Sequence, residues 1–152
     1  MKESRVVYLV GAYLLACTVA LVAIPAYAHY SGAISDALLR SLVYIACAGG
    51  LGGTVYLIRS FYKKIFERSF RPDVFWWYLF RPLTGAIMGV VAYFLIVGGL
   101  LSIGSAQSPD YAKSIMLYCG IAFLAGFSFT QFADKIEGLA KTVFAASERE
   151  KK

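Results

Sequence analysis

The sequence predicts an all-α integral membrane protein with four transmembrane helices and a cytoplasmic, amphipathic C-terminal helix. Of the 152 residues, 59% are hydrophobic and only 16% are charged, whereas soluble domains carry about 25% charged residues. Charge is absent from four long runs, and the basic residues concentrate in alternate connections. These three observations predict a single membrane domain over residues 1–152.

The four uncharged runs give the four predicted spans, which are residues 6–35, 41–58, 82–109 and 114–133. At 1.5 Å per residue, a run of about 18 residues reaches roughly 27 Å, which approximates the hydrocarbon thickness of a bilayer. Helices satisfy their own backbone in lipid, and these runs lack the alternation of barrel strands. The predicted helices are approximately 6–30, 38–58, 82–104 and 113–133.

The first span has an alternative interpretation as a cleaved signal peptide. Lys2 and Arg5 precede its apolar run, and Ala26-Tyr27-Ala28 has the small-x-small pattern of a cleavage site. However, the run is longer than the apolar core of about 7–15 residues found in signal peptides. Its length therefore favours a retained helix.

The connections indicate the orientation of the chain. Residues 59–81 hold two acidic residues against six basic ones, which are Arg59, Lys63, Lys64, Arg68, Arg71 and Arg81. The connections on the opposite side, near 29–40 and 105–113, carry one basic residue each. Because basic residues favour the cytoplasmic side, both termini and residues 59–81 are predicted to be cytoplasmic.

The sequence predicts neither an enzyme nor a cofactor. The three cysteines lie in apolar runs without metal-ligand spacing, and His29 stands alone at the outer end of the first span. No phosphate-binding loop or zinc-protease motif is present. The predicted spans also lack Asp, Glu, Lys and Arg, on which proton relays and coupled transporters usually depend. We therefore expect neither catalysis nor pumping, and no intramembrane charge.

Small residues line the later spans. They include Gly49, Gly50, Gly52, Gly53, Gly85, Gly89, Gly98, Gly99, Gly120, Ala122 and Gly126. In lipid, such residues let helix backbones approach closely. The glycines can pack within one bundle or between subunits, and their number favours some use between subunits.

The connection over residues 59–81 is both basic and aromatic. Its rings suit the membrane interface, and its cations suit anionic headgroups, a phosphate-bearing ligand or an acidic protein. Interleaved rings and cations also suit single-stranded nucleic acid, although the membrane already accounts for that pattern. Arg71-Pro72 and Arg81-Pro82 are expected to interrupt helical geometry, since proline restricts itself and its predecessor.

The C-terminal helix is predicted over residues 133–147. Its apolar stripe is Ile136, Leu139, Ala140, Val143 and Phe144. No proline follows Lys113, so the fourth helix is expected to continue into the cytoplasm. The stripe needs cover from lipid, from residues 59–81 or from copies of itself around an axis. In the last case Ser128, Thr130 and Gln131 would border a pore; otherwise they are polar residues at the interface.

The motifs taken together resemble a family of small bacterial four-helix membrane proteins, most of which have no known function. The motifs are Gly49-Gly50-Leu51-Gly52-Gly53, Arg59-Ser60-Phe61, Trp76-Trp77-Tyr78, Arg81-Pro82, Gly85, Tyr93, Gly98-Gly99-Leu100-Leu101-Ser102, Leu124-Ala125-Gly126-Phe127-Ser128 and Ala133-Asp134-Lys135-Ile136. The resemblance covers residues 49–144, and its most specific part is W-W-Y-x-x-R-P-x-x-G. The first span carries none of it.

Some proteins similar to this family are membrane effectors of anti-phage systems, among them the Hailong system. There a nucleotidyltransferase makes short oligodeoxyadenylate, and its membrane partner is an oligomeric ion channel held shut by that ligand. The resemblance implies a homo-oligomeric channel in the bacterial inner membrane, with an oligonucleotide or a nucleotidyltransferase encoded nearby as partner. On that basis the ligand would bind the six basic residues of the connection. A non-conducting anchor subunit and, third, a lipid-handling protein stay open as alternatives.

Overall fold

The computed structural model describes residues 2–32, 34–66, 75–100 and 111–149, and these residues fold entirely into helices and their connections. The helices are α1 (Lys2–Ser31), α2 (Ala37–Phe66), α3 (Phe75–Val97), α4 (Tyr111–Phe127) and α5 (Phe129–Arg149). Among them, α1, α2 and α3 are long and apolar enough to cross a membrane. A fourth candidate span exists if α4 and α5 are counted together as one bent segment.

Helices α2, α3 and α4 form a core in which the backbones touch. A Cβ atom on Gly49 would lie 2.5 Å from the carbonyl oxygen of Gly85 and 3.0 Å from the Cα of Gly89. A Cβ atom on Gly126 of α4 would overlap the carbonyl of Gly49. These glycines therefore serve packing within one chain. Gly120 differs, because it is exposed and no atom lies within 4 Å of its Cβ position.

Helix α1 joins this core at the end where α2 finishes and α3 begins, which we call the basic end. Val10 and Leu14 of α1 are buried together with Leu57 and Tyr78. Only 11% of the most apolar window of α1 is buried, so most of its surface is left for lipid or a partner. The contact with Leu57 and Tyr78 makes α1 part of the folded unit.

Helix α2 extends beyond its predicted end near residue 58 and reaches Phe66. No glycine or proline interrupts residues 54–66, and Lys63 and Lys64 occupy the last turn. Cations in that position complement the negative end of the helix dipole. The first part of the predicted connection is therefore helical, and the connection that remains, residues 67–74, lies outside the described part of the chain.

Helix α3 begins at Phe75, seven residues before its predicted start, and it contains Pro82. The expectation that Arg81-Pro82 interrupts the helix is therefore wrong. Membrane helices tolerate proline when other groups bond to the backbone near it. Here the hydroxyl of Tyr13 donates to the carbonyl of Leu79 at 2.9 Å, and Thr84 donates to the carbonyl of Arg81 at 2.9 Å.

Helix α3 also ends at Val97, earlier than the predicted residue 104. Gly99 has a φ of 75°, and its amide donates to the carbonyl of Ile96 at 3.0 Å. The amide of Leu100 donates to the carbonyl of Leu95 at 2.9 Å. This pair of bonds around a left-handed glycine is a Schellman cap. Because it satisfies the last carbonyls, the helix stops within the apolar run.

The sequence predicts that the fourth helix continues toward the C-terminus, but in the structure it does not continue straight. Helices α4 and α5 meet at Ser128 with a bend of 102°, which we call the elbow. The break lies five residues before the predicted boundary at 133, and it needs no proline. Two close contacts fix its arms: Gly126 lies against the backbone of Gly49, and the ring of Phe129 lies against Arg81.

Candidate functional site

Six basic residues were predicted to bind a ligand, and the four that the structure describes do not form one surface cluster. Arg59 and Lys63 are exposed on α2, and Lys64 is half-buried there. Arg81 is buried within α3. Arg68 and Arg71 lie outside the described residues. The four described residues therefore comprise two surface cations and two that are packed against other side chains.

Arg81 lies between two aromatic rings from different helices. Its guanidinium carbon is 4.9 Å from the ring centre of Tyr56 on α2 and 4.6 Å from that of Phe129 on α5. The residue is 7% exposed, and its buried Nε atom has no hydrogen-bond partner. Within the described part of the chain, no carboxylate pairs with it. Among the described residues, its positive charge is therefore stabilised by the faces of two rings.

Arg81 also lies inside a candidate membrane span, Trp76–Val97. Its carbonyl oxygen is 2.9 Å from the position that a Cβ atom on Gly53 would occupy, so the backbone of Arg81 is packed on α2. The expectation that the spans hold no charge therefore does not hold for the candidate span Trp76–Val97, which includes Arg81. The reason is that α3 begins seven residues earlier than the charge pattern suggests and takes Arg81 into the apolar helix.

Lys64 also lies against two aromatic rings, at a position nearer to the end of α2. Its Nζ atom is 5.6 Å from the ring centre of Trp77 and 5.6 Å from that of Tyr78. Trp77 in turn meets Tyr56 edge to face, with ring centres 6.1 Å apart. Lys64 and Arg81 are thus joined through the Tyr56–Trp77 pair. We call Tyr56, Lys64, Trp77, Arg81 and Phe129 the cation–aromatic cluster.

The three residues predicted to border a pore lie together at the elbow. Ser128 forms the bend, where its amide donates to the carbonyl of Leu124 at 2.8 Å and its carbonyl accepts from the amide of Phe132 at 3.0 Å. Thr130 and Gln131 are exposed on the first turn of α5. All three flank Phe129 in sequence, so the elbow and the cation–aromatic cluster form one continuous site.

Sequence reasoning missed Tyr56 and Phe129 as members of this site. Tyr56 precedes Arg59 within an apolar run, and Phe129 stands between the polar residues of the elbow. An aromatic residue in a membrane span gives no signal that separates a ring beside a cation from a ring facing lipid. The helix-end position of Trp77 and Tyr78 supported only an interfacial role.

An apolar groove of about 520 Å³ lies among α1, α2 and α4, away from the cluster. Cys47 and Cys119 line it, and His29 stands at its rim with the ring Nδ1 3.4 Å from the hydroxyl of Tyr44. Among the described residues, no three His, Cys, Asp or Glu side chains converge as metal ligands. Apart from His29, Tyr44 and the two cysteines, the groove is lined by apolar side chains, and it holds no Lys, Arg, Asp or Glu.

The chemistry of the cluster suits the binding of an anion. It provides two cations and an unsatisfied guanidinium donor, and guanidinium groups bind phosphate through paired hydrogen bonds. The elbow adds two hydroxyls and an amide.

The chain was compared with protein-family models, with curated proteins and with solved structures, and it matches none of them.

Proposed function

We propose that this protein is a homo-oligomeric membrane ion channel that acts as an effector in bacterial anti-phage defence. A phosphate-bearing ligand on the cytoplasmic face controls its opening. The elbow carries the proposal: an amphipathic helix leaves the apolar core at 102°, next to buried and half-buried cations. The remaining arguments concern where ions would pass and where the ligand would bind.

The glycine contacts argue that a conducting path lies between copies of the chain. In the α2–α3–α4 core, backbones touch at Gly49, Gly85 and Gly126, which leaves no room for a column of water through the core. A pore therefore requires an axis shared by several copies. The polar residues Ser128, Thr130 and Gln131 lie outside the core, where such an axis can pass.

Helix α5 is suited to respond to a cytoplasmic ligand. Its packing on the rest of the described chain is confined mainly to the elbow, and Ile136, Leu139 and Ala140 form the apolar stripe. If α4 crosses the membrane, the bend of 102° turns α5 nearly parallel to the membrane plane, where an amphipathic helix is stable. Its orientation can change without unpacking the glycine core.

The ligand and the cellular role draw on the resemblance as well as on charge. Arg59 and Lys63 are exposed beside the cluster and can attract a polyanion. An oligonucleotide is the candidate ligand that the resemblance implies, with a nucleotidyltransferase encoded nearby as its source. We also propose that the protein lies in the bacterial inner membrane, as the resemblance implies, with both termini cytoplasmic, as the basic residues of its connections predict.

One observation favours a second candidate, a non-conducting anchor or assembly subunit. Helix α1 is apolar along its length, yet only 11% of its most apolar window is buried. A membrane partner of a different sequence could cover that surface. In that case the basic end would recruit a cytoplasmic protein, and the chain would conduct no ions.

Ion flux from liposomes that contain the purified protein tests the proposal, together with the oligomeric mass in the same detergent. We expect a homo-oligomer that leaks ions, and we expect Leu139→Glu to abolish the leak because it places a charge on the apolar stripe of α5. Glu137→Gln on the polar side is the matched control, since it breaks only the exposed ion pair with Lys141. A monomer in tight vesicles would contradict the channel and favour the anchor.

A further inference from the structure

Arg81 is a buried cation in a membrane span without a counter-anion among the described residues. Intramembrane cations usually pair with an acid, with backbone carbonyls or with a water-filled cavity. The guanidinium of Arg81 instead lies against two aromatic rings, and its Nε atom has no hydrogen-bond partner among the described residues. A buried donor without an acceptor costs free energy, so this position is suited to receive an anion.

We propose that a phosphate group binds Arg81 by displacing the ring of Phe129, and that Lys64 attracts the phosphate toward this position. The cluster is thus a switch in which phosphate and Phe129 exclude each other. For its cytoplasmic phosphate ligand, this inference rests on the proposed function. It adds the residue that binds the phosphate, the cation that attracts it and the contact that binding breaks.

Burial explains why a side chain must move. Because Arg81 is only 7% exposed and its Nε atom is buried, an anion reaches Nε only after a covering group leaves. Tyr56 belongs to α2, whose backbone is held against α3 and α4 at the glycines. Phe129 is the first residue of α5, which packs on the other described helices mainly at the elbow. Of the two rings that cover the guanidinium, the ring of Phe129 can therefore move at the lower cost in free energy.

Lys64 is suited to attract the same phosphate. Its Nζ atom lies over Trp77, whose ring contacts Tyr56, and Tyr56 stacks on Arg81. Two aromatic rings therefore lie between the two cations, and Lys64 is only half-buried. A phosphate that approaches past Lys64 reaches Arg81 when Phe129 departs.

The switch connects ligand binding to the elbow. Phe129 follows Ser128 directly, so release of its ring frees the arm of α5 from α3. A ligand shifts such an equilibrium only through its different affinities for the two states. Phosphate has the higher affinity for the state in which Phe129 has left, because the guanidinium is accessible there and is covered by Phe129 in the other state.

Trp77 provides an optical probe of the switch, because it lies within the cluster. The protein with Trp76→Phe keeps a single tryptophan and is reconstituted in phosphatidylcholine nanodiscs, where both faces are accessible. Tripolyphosphate is titrated while the emission of Trp77 is recorded. We expect a saturable change, and we expect Arg81→Gln to remove it while Arg40→Gln, at the other end of α2, does not.

The decisive variant is Phe129→Ala, because it removes the competitor. We expect it to tighten tripolyphosphate binding by about thirtyfold, the scale of one desolvated cation–π contact. Phe132→Ala, one turn later on α5, is the matched control and leaves affinity unchanged. A gain in affinity cannot come from misfolding, so this result holds even if Arg81→Gln fails to fold. Equal or weaker binding by Phe129→Ala would overturn the switch.

The phosphate could come from a soluble ligand or from an anionic lipid headgroup, and a second arm separates these sources. Nanodiscs with one fifth phosphatidylglycerol are compared with phosphatidylcholine alone. If the lipid is the source, phosphatidylglycerol alone produces the Trp77 change and abolishes the response to tripolyphosphate. If the ligand is soluble, that response survives in both lipids. No response of Trp77 to either phosphate overturns the proposal.

Flux measured on the same variants separates the switch from the channel. If vesicles leak ions but Phe129→Ala leaves phosphate affinity unchanged, the channel stands and the switch is wrong. If Phe129→Ala tightens binding while no variant leaks, the switch stands and the channel is wrong.

Discussion

At the scale of single residues, Arg81 shows how a membrane protein accommodates a charge without an acid. The insertion cost of roughly 2.5–3.5 kcal/mol applies to an arginine at the centre of a span. Arg81 is the sixth residue of the candidate span Trp76–Val97 and therefore faces a smaller cost. One desolvated cation–π contact offsets about 2 kcal/mol of such a cost, and the structure supplies two rings, Tyr56 and Phe129. Moving one ring away creates the need for an anion.

The glycine contacts belong to the same scale and lead to a stability prediction. We expect Gly49→Ala to destabilise the protein by about 1–3 kcal/mol, the usual cost of overpacking. Its new methyl group would lie 2.5 Å from the carbonyl oxygen of Gly85, which is backbone and cannot rotate away. Thermal unfolding in detergent measures the effect.

Gly120→Ala is the control for that experiment. Its Cβ position is open, and alanine is the better helix former by about 1 kcal/mol. We expect an unchanged or slightly higher Tm. If Gly49→Ala and Gly120→Ala unfold at the same temperature, the close approach of α2 and α3 is wrong.

At the scale of helices, the ends are set by hydrogen bonds rather than by hydrophobicity. The apolar run that contains α3 continues past Val97, yet the cap at Gly99 stops the helix there. At the elbow, Ser128 keeps hydrogen bonds to both sides while the axis turns by 102°. Both features shorten the straight helices that the uncharged runs predict.

The cap predicts the response to substitution at Gly99. We expect Gly99→Ala to destabilise the protein by about 1–2 kcal/mol, because L-residues disfavour a positive φ. Asparagine tolerates that conformation better, so Gly99→Asn is expected to recover part of the loss. Chemical denaturation in mixed micelles provides the comparison. Equal stability of the alanine and asparagine variants would argue against a left-handed cap.

At the scale of the whole molecule, the basic end gathers the features that carry charge. Arg59, Lys63 and Lys64 on α2 lie at the same end as the elbow, while α1 covers that end with Val10 and Leu14. Helix α2 continues past Arg59 to Phe66, a distance of roughly 10 Å at the helical rise. The bundle therefore presents a cationic projection on one side of the apolar layer.

The predicted orientation can be tested on the intact protein. With Cys17, Cys47 and Cys119 replaced by serine, we introduce Tyr62→Cys on the exposed basic end and Leu38→Cys at the opposite end. A membrane-impermeant maleimide added to spheroplasts should label Leu38→Cys and leave Tyr62→Cys unlabelled until the membrane is broken. The reverse pattern would contradict a cytoplasmic basic end.

Sequence reasoning identified what depends on local composition. The uncharged runs located the apolar helices, because removing about 20 peptide groups from water requires an uninterrupted apolar stretch. The amphipathic spacing of Ile136, Leu139 and Ala140 likewise anticipated a helix in the C-terminal region, and the structure has α5 there. Each of these features can be read from a short window of neighbouring residues.

The tertiary structure decided what depends on residues that are distant in the chain. The Tyr13 hydroxyl bonds near Pro82 and thereby supports a helix that the proline was expected to interrupt. Tyr56, Arg81 and Phe129 come from three helices, and no local pattern announces that they meet. The glycines were ambiguous for the same reason, since a small residue permits close packing without specifying its partner. Proximity, and not residue type, made Arg81 the centre of the site.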